Sequence, residues 1–319
     1  MGERAQQEAP CSGRATQSDL LAAVEARGWR GRAVPRGHVR ELEAEFVDNR
    51  RARLDATFYQ ERLVTLRFEP PADLPGAQSV IVVAVPRPQT QGVFTWKGRR
   101  TALILPPTYT RYRAIAREVS AWLGKRLAEG GYRATETPLP LKLLAVRSGL
   151  GTYGKNNVCY VPGMGSFLEL VAVYSDMPCD EDAWQEPRML ERCQECSACL
   201  RACPSGAISA ERFLLKAERC IVFHNERPGS VPFPDWMDPA WHNCIEGCML
   251  CQKICPEDKP FREWIEGTQE FSEEETGLLL KGVTREQLPA ATLAKLEQLD
   301  LVDDVGIFPR NLGVILNRD

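Results

Sequence analysis

The sequence has no stretch apolar enough to cross a bilayer. Its longer apolar runs, residues 80–85 among them, fall far short of the roughly 20 residues a spanning helix requires. The first 17 residues lack the apolar core of a secretory signal; they are small and polar and include Glu3 and Glu8. Both absences point to a soluble protein of the cytoplasm, where thiols bind metals or catalyse rather than pair as disulfides. Net charge is nearly missing too, at −3 over 319 residues, so the molecule as a whole carries no nucleic-acid signature. The charge is unevenly placed, however. From Lys97 to Arg133 there are nine Lys/Arg against two Glu, and from Glu257 onward fourteen Asp/Glu against seven Lys/Arg. An anionic ligand would meet the basic middle; the plainer reading is a solvated, Arg-rich helix face.

What is present is an ordinary apolar fraction of 44% and a length that suggests two domains. After a polar tail over 1–17, Ser18 can cap a helix to about residue 27, and residues 38–51 read as a second helix. Residues 79–86 are β-branched and almost wholly apolar, as a buried central strand is. Short strands are expected at 93–96 and 102–105, on either side of a basic turn. A helix follows over 111–129, stopped by Gly130 and Gly131, then a strand at 132–136 and a helix at 141–148. Strands at 157–161 and 167–175 can form a hairpin across 162–165. This alternation predicts an α/β (α+β) domain over 18–178. A polar connector at 179–189 leads into a cysteine-rich domain reaching residue 260. The tail, 261–319, should hold a helix over 284–299, with Thr284 and Gln287 as a capping box, and a short one over 309–317.

Twelve cysteines need explaining. One motif runs Cys193-x2-Cys196-x2-Cys199-x3-Cys203-Pro204, and a second Cys248-x2-Cys251-x3-Cys255-Pro256. This spacing is that of two-cluster [4Fe–4S] proteins, in which the fourth cysteine of each run serves the other cluster. Cys193, Cys196, Cys199 and Cys255 then hold one cluster. Cys203, Cys248 and Cys251 hold the other and need one more thiolate. Cys220 and Cys244 are both available, and spacing does not choose between them. Zinc ribbons also use paired CxxC, but not a CxxCxxCxxxC run with a trailing Cys-Pro. Cys11, Cys159 and Cys179 read as ordinary thiols, Cys159 in the core.

Gly149-Leu150-Gly151-Thr152-Tyr153-Gly154 matches GxGxxG. A dinucleotide fingerprint needs a strand before it and a helix after it, and here the order is reversed, so nicotinamide binding is set aside. Three glycines followed by Lys155 and Asn156 still make a backbone that a ligand can approach closely. Arg147, Gly149, Gly151, Gly154, Lys155 and Asn156 are the candidate cofactor contacts.

The stretch from Ala145 to Asn156, with its Arg147, glycines and Lys155-Asn156, resembles a motif of the epoxyqueuosine reductases. Gly165-Ser166-Phe167-Leu168-Glu169-Leu170 resembles that family's Gly-Ser turn and apolar strand, residues 78–81 its central strand, and Arg310-Asn311-Leu312 its tail. The resemblance implies a nitroreductase-like, mixed-sheet domain that holds cobalamin, followed by a ferredoxin-like domain with two [4Fe–4S] clusters and a short helical tail. Reductive dehalogenases share that architecture. It implies Cys220 as the eighth cluster ligand. It further implies a reduced ferredoxin- or flavodoxin-type donor, a small-molecule substrate and, for the family proper, tRNA. The family's catalytic carboxyl falls at Thr135, so Glu136 beside it, or failing that Tyr109, is the candidate proton donor, with Tyr153 also available. The other reading is an electron-carrying, ferredoxin-type partner with no substrate site of its own.

Overall fold

The computed structural model describes residues 16–50, 53–211 and 213–318. Of the expected polar tail, 1–15 lie outside the described residues. In chain order come α1 (Gln17–Ala26), β1 (Arg30–Pro35), α2 (Val39–Ala44), α3 (Ala56–Phe58), β2 (Ser79–Pro86), β3 (Gln89–Trp96) and β4 (Arg99–Leu105). Next are α4 (Tyr112–Glu129), β5 (Ala134–Glu136), α5 (Leu141–Arg147), β6 (Thr152–Tyr153), β7 (Cys159–Tyr160) and β8 (Leu168–Ser175). The cysteine segment contributes α6 (Ala198–Ala202), α7 (Ile221–Asn225) and α8 (Leu250–Lys253). Then follow β9 (Ile265–Phe271), α9 (Glu273–Lys281), α10 (Ala290–Leu299) and α11 (Phe308–Leu316).

The main sheet runs β1-β2-β8-β5 and every pairing in it is antiparallel. Strand β2 is central, which is why its sequence is apolar without a break. Successive side chains alternate between faces. Val80, Val82 and Ala84 of β2 join Leu168, Leu170, Ala172 and Tyr174 of β8 in one core, which α5 covers with Leu143, Leu144 and Val146. Ile81, Val83 and Val85 join Val171 and Val173 in the other. There α4 docks through Ile115, Val119, Leu123 and Leu127, an i, i+4 stripe. Burying each of these contributes about 1.5–3 kcal/mol, enough to hold α4 whatever its Arg-rich outer face does.

Several expectations shift. Helix α1 begins before its expected cap: Thr16, not Ser18, accepts the Asp19 N–H, and Asp19 returns the bond in a capping box. The second helix turns π-helical at Glu45–Arg50. The two strands expected around residues 162–165 do not pair as a hairpin. Short β7 pairs with β6, and only Val161 and Gly165 bridge. The Thr284–Gln287 capping box forms, but on a single 3-10 turn; Pro289 intervenes and α10 starts afresh. Strand β9 and helix α9 were not expected. Strand β9 lies parallel to β3 in a second sheet, β4-β3-β9, which packs with α9, α10 and α11 around stacked Phe94 and Phe271.

The connector over 179–189 is pinned to the first domain. His38 sits between Glu41 and Asp182, with its ring stacked on Trp184. Burial alone would lower the imidazole, but the bonds to Asp182 and Glu41 outweigh it and hold His38 above its usual value. The charged form is therefore favoured in the folded state. Its stabilisation is complete below the ordinary histidine value of about 6.5 and is lost as pH rises through the higher folded value. A His38→Ala variant should lose this slope between neutral and mildly alkaline pH, as read by thermal melts across pH. An unchanged slope would show that the pair does not hold the connector.

Candidate iron–sulfur centres and the cavity beside them

The cysteine motifs fold as short turns. Glu191–Gln194 is a 3-10 turn, and the Cys203 N–H bonds to the Cys199 carbonyl at the end of α6. Helix α8 packs against α6 and ends with the Cys255 N–H on the Gln252 carbonyl. Pro204 and Pro256 then turn the chain away.

These turns sort the thiols into two sets. Cys193, Cys196, Cys199 and Cys255 line one recess, together with Gly154, Lys155, Asn156 and Tyr160. Cys203, Cys220, Cys248 and Cys251 line a second cavity of about 340 Å³. Cys244 lines neither. It is fully buried beside Phe167 and Met249 and donates to Asn243 Oδ1. Among the described residues no three metal-binding side chains close on a single point. Burial pushes the Cys220 thiol up to about 12, and the neighbouring Cys248 and Cys203 add to it. Four thiolates cannot face one another without cations to offset their charge, and a coordinating metal keeps such thiols deprotonated. Each set supplies the four thiols that a four-iron cluster takes.

The first domain clasps the cysteine segment at three places. Lys155 Nζ donates to the Cys196 carbonyl at 2.8 Å. Ser166 donates through its N–H and its hydroxyl to the two oxygens of buried Asp258, both at 2.7 Å. Gly165 before it has φ +57, and a Cβ there would strike that carboxylate, so the Gly-Ser pair has a packing reason. Gln252 Nε2 completes the joint on Ser166 Oγ at 2.8 Å.

The candidate cofactor contacts divide. Gly154, Lys155 and Asn156 reach the first recess, and Asn156 borders both cavities. Gly151 lies under Cys159 and the Tyr160 carbonyl, where a Cβ would come within 2.8 Å of both. Gly149 turns at φ +73 beside Gln185. Arg147 faces elsewhere, paired with Glu45 at 2.7 Å and Glu186 at 3.0 Å.

The candidate proton donors divide too. Glu136 pairs opposite Val173, on the α4 face of the sheet, and accepts from Ser120 Oγ at 2.9 Å. It lines a separate cavity of about 360 Å³ with Glu169, whose carboxyl burial raises to about 8. Thr135 faces the other way and donates to Asp73. Tyr153 is buried in the core. Tyr109 does border the second cysteine cavity. Its ring lies on Gly247 (φ +72), where a Cβ would be 2.8 Å away, and its hydroxyl bonds Glu226, which pairs with Arg62. Burial, then Glu226, holds the Tyr109 hydroxyl well above the ordinary tyrosine value. The second Asn of the loop was not among the candidate contacts. Asn157 lines the cavity at φ +61, and its amide Nδ2 is buried with no hydrogen-bond partner among the described residues. The Asn-Asn pair after Lys155 was the available signal, since Asn tolerates that backbone.

The basic middle and acidic tail meet each other. Arg100 pairs with Glu270 at 2.6 Å, Arg113 with Asp303 at 3.2 Å, and the Lys97 N–H bonds Glu273 at 3.0 Å. Among the described residues no helix is long and apolar enough to cross a membrane.

Two four-cysteine sets clasped by an α/β domain define a double-cluster iron–sulfur protein, and residues 192–258 match the 4Fe-4S double cluster binding domain. Within that class the chain is similar to the epoxyqueuosine reductases. It is 34% identical over 198 residues to the epoxyqueuosine reductase of Synechococcus sp. (strain RCC307), covering 57% of this chain and 56% of that one. It is 27% identical over 213 residues to that of Staphylococcus aureus, covering 64% and 54%. The chain thus spans about half the length of the curated relatives it matches. The epoxyqueuosine reductase of Streptococcus thermophilus has the same fold, with TM-score 0.63 and 18% identity over 94% of this chain and 80% of that one. A related structure, with TM-score 0.61 and 20% identity over the same shares, holds an epoxyqueuosine-modified tRNA stem loop.

Proposed function

We propose that this chain is an iron–sulfur reductase that delivers electrons to a small substrate in the cavity bordered by Cys203, Cys220, Cys248 and Cys251. The observation that carries this reading is that cavity. It joins one cysteine set to Tyr109, Lys142 and Asn157 of the first domain, which an electron carrier without a substrate site would not need. Cys193, Cys196, Cys199 and Cys255 would hold one cluster, and the cavity's four cysteines the other. When bound, the clusters supply single electrons at low potential. Asn157 borders the cavity, and its amide Nδ2 is buried without a hydrogen-bond partner among the described residues. Lys142 Nζ, held on the Asn157 carbonyl at 3.2 Å, fixes that residue's backbone. Tyr109 keeps its proton at neutral pH, so it donates only to a strongly basic centre, such as the carbon left by two-electron reduction. Glu136, on the opposite face, is not positioned for that role.

The cavity bordered by these four cysteines is small for a corrinoid. Pockets for drug-sized ligands span about 300–1,000 Å³. This one lies at the bottom of that range, at about 340 Å³, and a cubane takes a share of it. The electron donor would be a reduced ferredoxin- or flavodoxin-type protein. tRNA is a weaker candidate, because two basic side chains of the middle stretch, Arg100 and Arg113, are paired with acidic groups of the tail.

The test is anaerobic preparation with iron and sulfide counts, cobalamin titration, and tRNA binding at low salt. About eight irons per chain are expected, with no cobalamin uptake and little tRNA retention. Tyr109→Phe should keep the iron and lower turnover with a strong reductant by about 10²–10⁴-fold. Zinc in place of iron would sink the reading, and stoichiometric cobalamin would restore the corrinoid mechanism.

A further inference from the structure

Asn243 opens the turn that presents Cys248 to the cavity, and its amide Nδ2 lies 3.3 Å from Cys248 Sγ. We propose that Asn243 sets the potential of the cluster held by Cys203, Cys220, Cys248 and Cys251, donating a hydrogen bond to the Cys248 sulfur that makes this cluster easier to reduce. This rests on the reading of the two cysteine sets as cluster sites.

Two partners with only one role each fix the orientation of the amide. The Met249 N–H can only donate, and it reaches Asn243 Oδ1 at 3.1 Å. The Trp241 carbonyl can only accept, and it lies 3.1 Å from Nδ2. The nitrogen therefore carries the remaining N–H toward the sulfur. The Cys244 thiol adds a second donor to Oδ1 at 3.2 Å. That gives the spare, buried cysteine a part: it steadies the amide from behind.

The turn is braced from outside as well. Asn225 Nδ2 donates to the Gly247 carbonyl at 2.9 Å, and Asn311 Nδ2 to the Ile245 carbonyl at 2.7 Å. Asn243 and Cys248 are thus held against each other by bonds that involve neither the sulfur nor a metal. Another donor serves the same set. Ser205 is 3% exposed, and its Oγ lies 3.5 Å from Cys203 Sγ. A metal-bound thiolate has no proton to give, so there the hydroxyl donates.

Hydrogen bonds to cluster sulfurs are among the groups that set cluster potentials. One-electron reduction adds negative charge to the cluster and its ligating sulfurs. A donor on such a sulfur stabilises the reduced form more than the oxidised one. These four cysteines border the proposed substrate cavity. Raising the potential there shifts an arriving electron from the other cluster toward the substrate.

The test is Asn243→Ala, reconstituted anaerobically, counted for iron and titrated by EPR-monitored potentiometry. Wild type should show two one-electron waves, and the wave that Cys220→Ala lacks belongs to the set beside the cavity. That wave should fall to lower potential in Asn243→Ala while the other stays. The deuterium-oxide shift of the Fe–S(Cys) stretch in resonance Raman should shrink with it, which a purely structural change would not produce. An unmoved wave at full iron would overturn the inference while leaving the cluster reading intact. Should Asn243→Ala lose iron, Asn243→Asp keeps an oxygen for Met249 and Cys244 and removes only the donor. It should hold its iron with a lower wave and a smaller deuterium shift. An unchanged deuterium shift there overturns the inference, and so does loss of iron, which would make the amide a structural brace. A wild type without iron overturns both readings.

Discussion

Cys220→Ala should halve the iron, leaving about four per chain, while Cys244→Ala should leave about eight. The two thiols look equivalent by spacing and differ in surroundings. Cys220 stands at the start of α7, with its sulfur toward Cys203, Cys248 and Cys251. Cys244 is sealed behind Met249 and Phe167 and occupied by Asn243. To reach the cavity it would have to abandon that packing, and losing a buried apolar contact of this kind costs on the order of 1–3 kcal/mol. The measurement is iron and sulfide per chain with the EPR signal of the reduced protein. Half-loading of Cys244→Ala with full loading of Cys220→Ala would reverse the assignment.

Arg310→Ala should empty the same cluster without touching a cysteine. The Arg310 guanidinium donates to five backbone carbonyls, those of His224, Asn225, Arg227, Pro228 and Val231. Asn311 beside it donates to the carbonyls of Asn225 and Ile245. Asn225 in turn donates to the Gly247 carbonyl at 2.9 Å. This chain of bonds ties the end of α7, which Cys220 opens, to the turn that presents Cys248. Hydrogen bonds from a charged donor contribute about 1.5–3 kcal/mol each, so even partial hydration of the freed carbonyls leaves a loss of at least about 3 kcal/mol. Lysine should not rescue it, since a point charge cannot reproduce the planar fork. The expected result is a lower melting temperature and about four irons. Full loading and an unchanged melt would show the web to be redundant.

Local patterns in the sequence were read correctly where the physics was local. The unbroken run of β2 and the helix expected over 111–129 appear as their residues suggest. The CxxCxxCxxxCP motif marks the double-cluster domain because thiolate spacing along a tight turn is a local property. Long-range pairings left no such mark. Strand β9 finds its partner β3 more than a hundred residues back, and its own alternation is interrupted by Gly267 and charged side chains. The choice between Cys220 and Cys244 depends on how α7 is turned, which the tail decides. Glu136 and Tyr109 looked like rivals for one task until the sheet put them on different sides. Asn157 and Asn243 were passed over because their meaning lies in a backbone angle and in a bond to a sulfur that only the folded turn brings close.

The parallel β3–β9 pairing has a consequence for how the protein is made. A ribosome delivers all the cysteines before it delivers β9 or Arg310, yet the second cysteine set is held in place by residues from that later stretch. Contacts across such separations close late, because the chain between them must first be ordered. Iron therefore meets a half-built cradle during synthesis and a finished one only after α11 has docked.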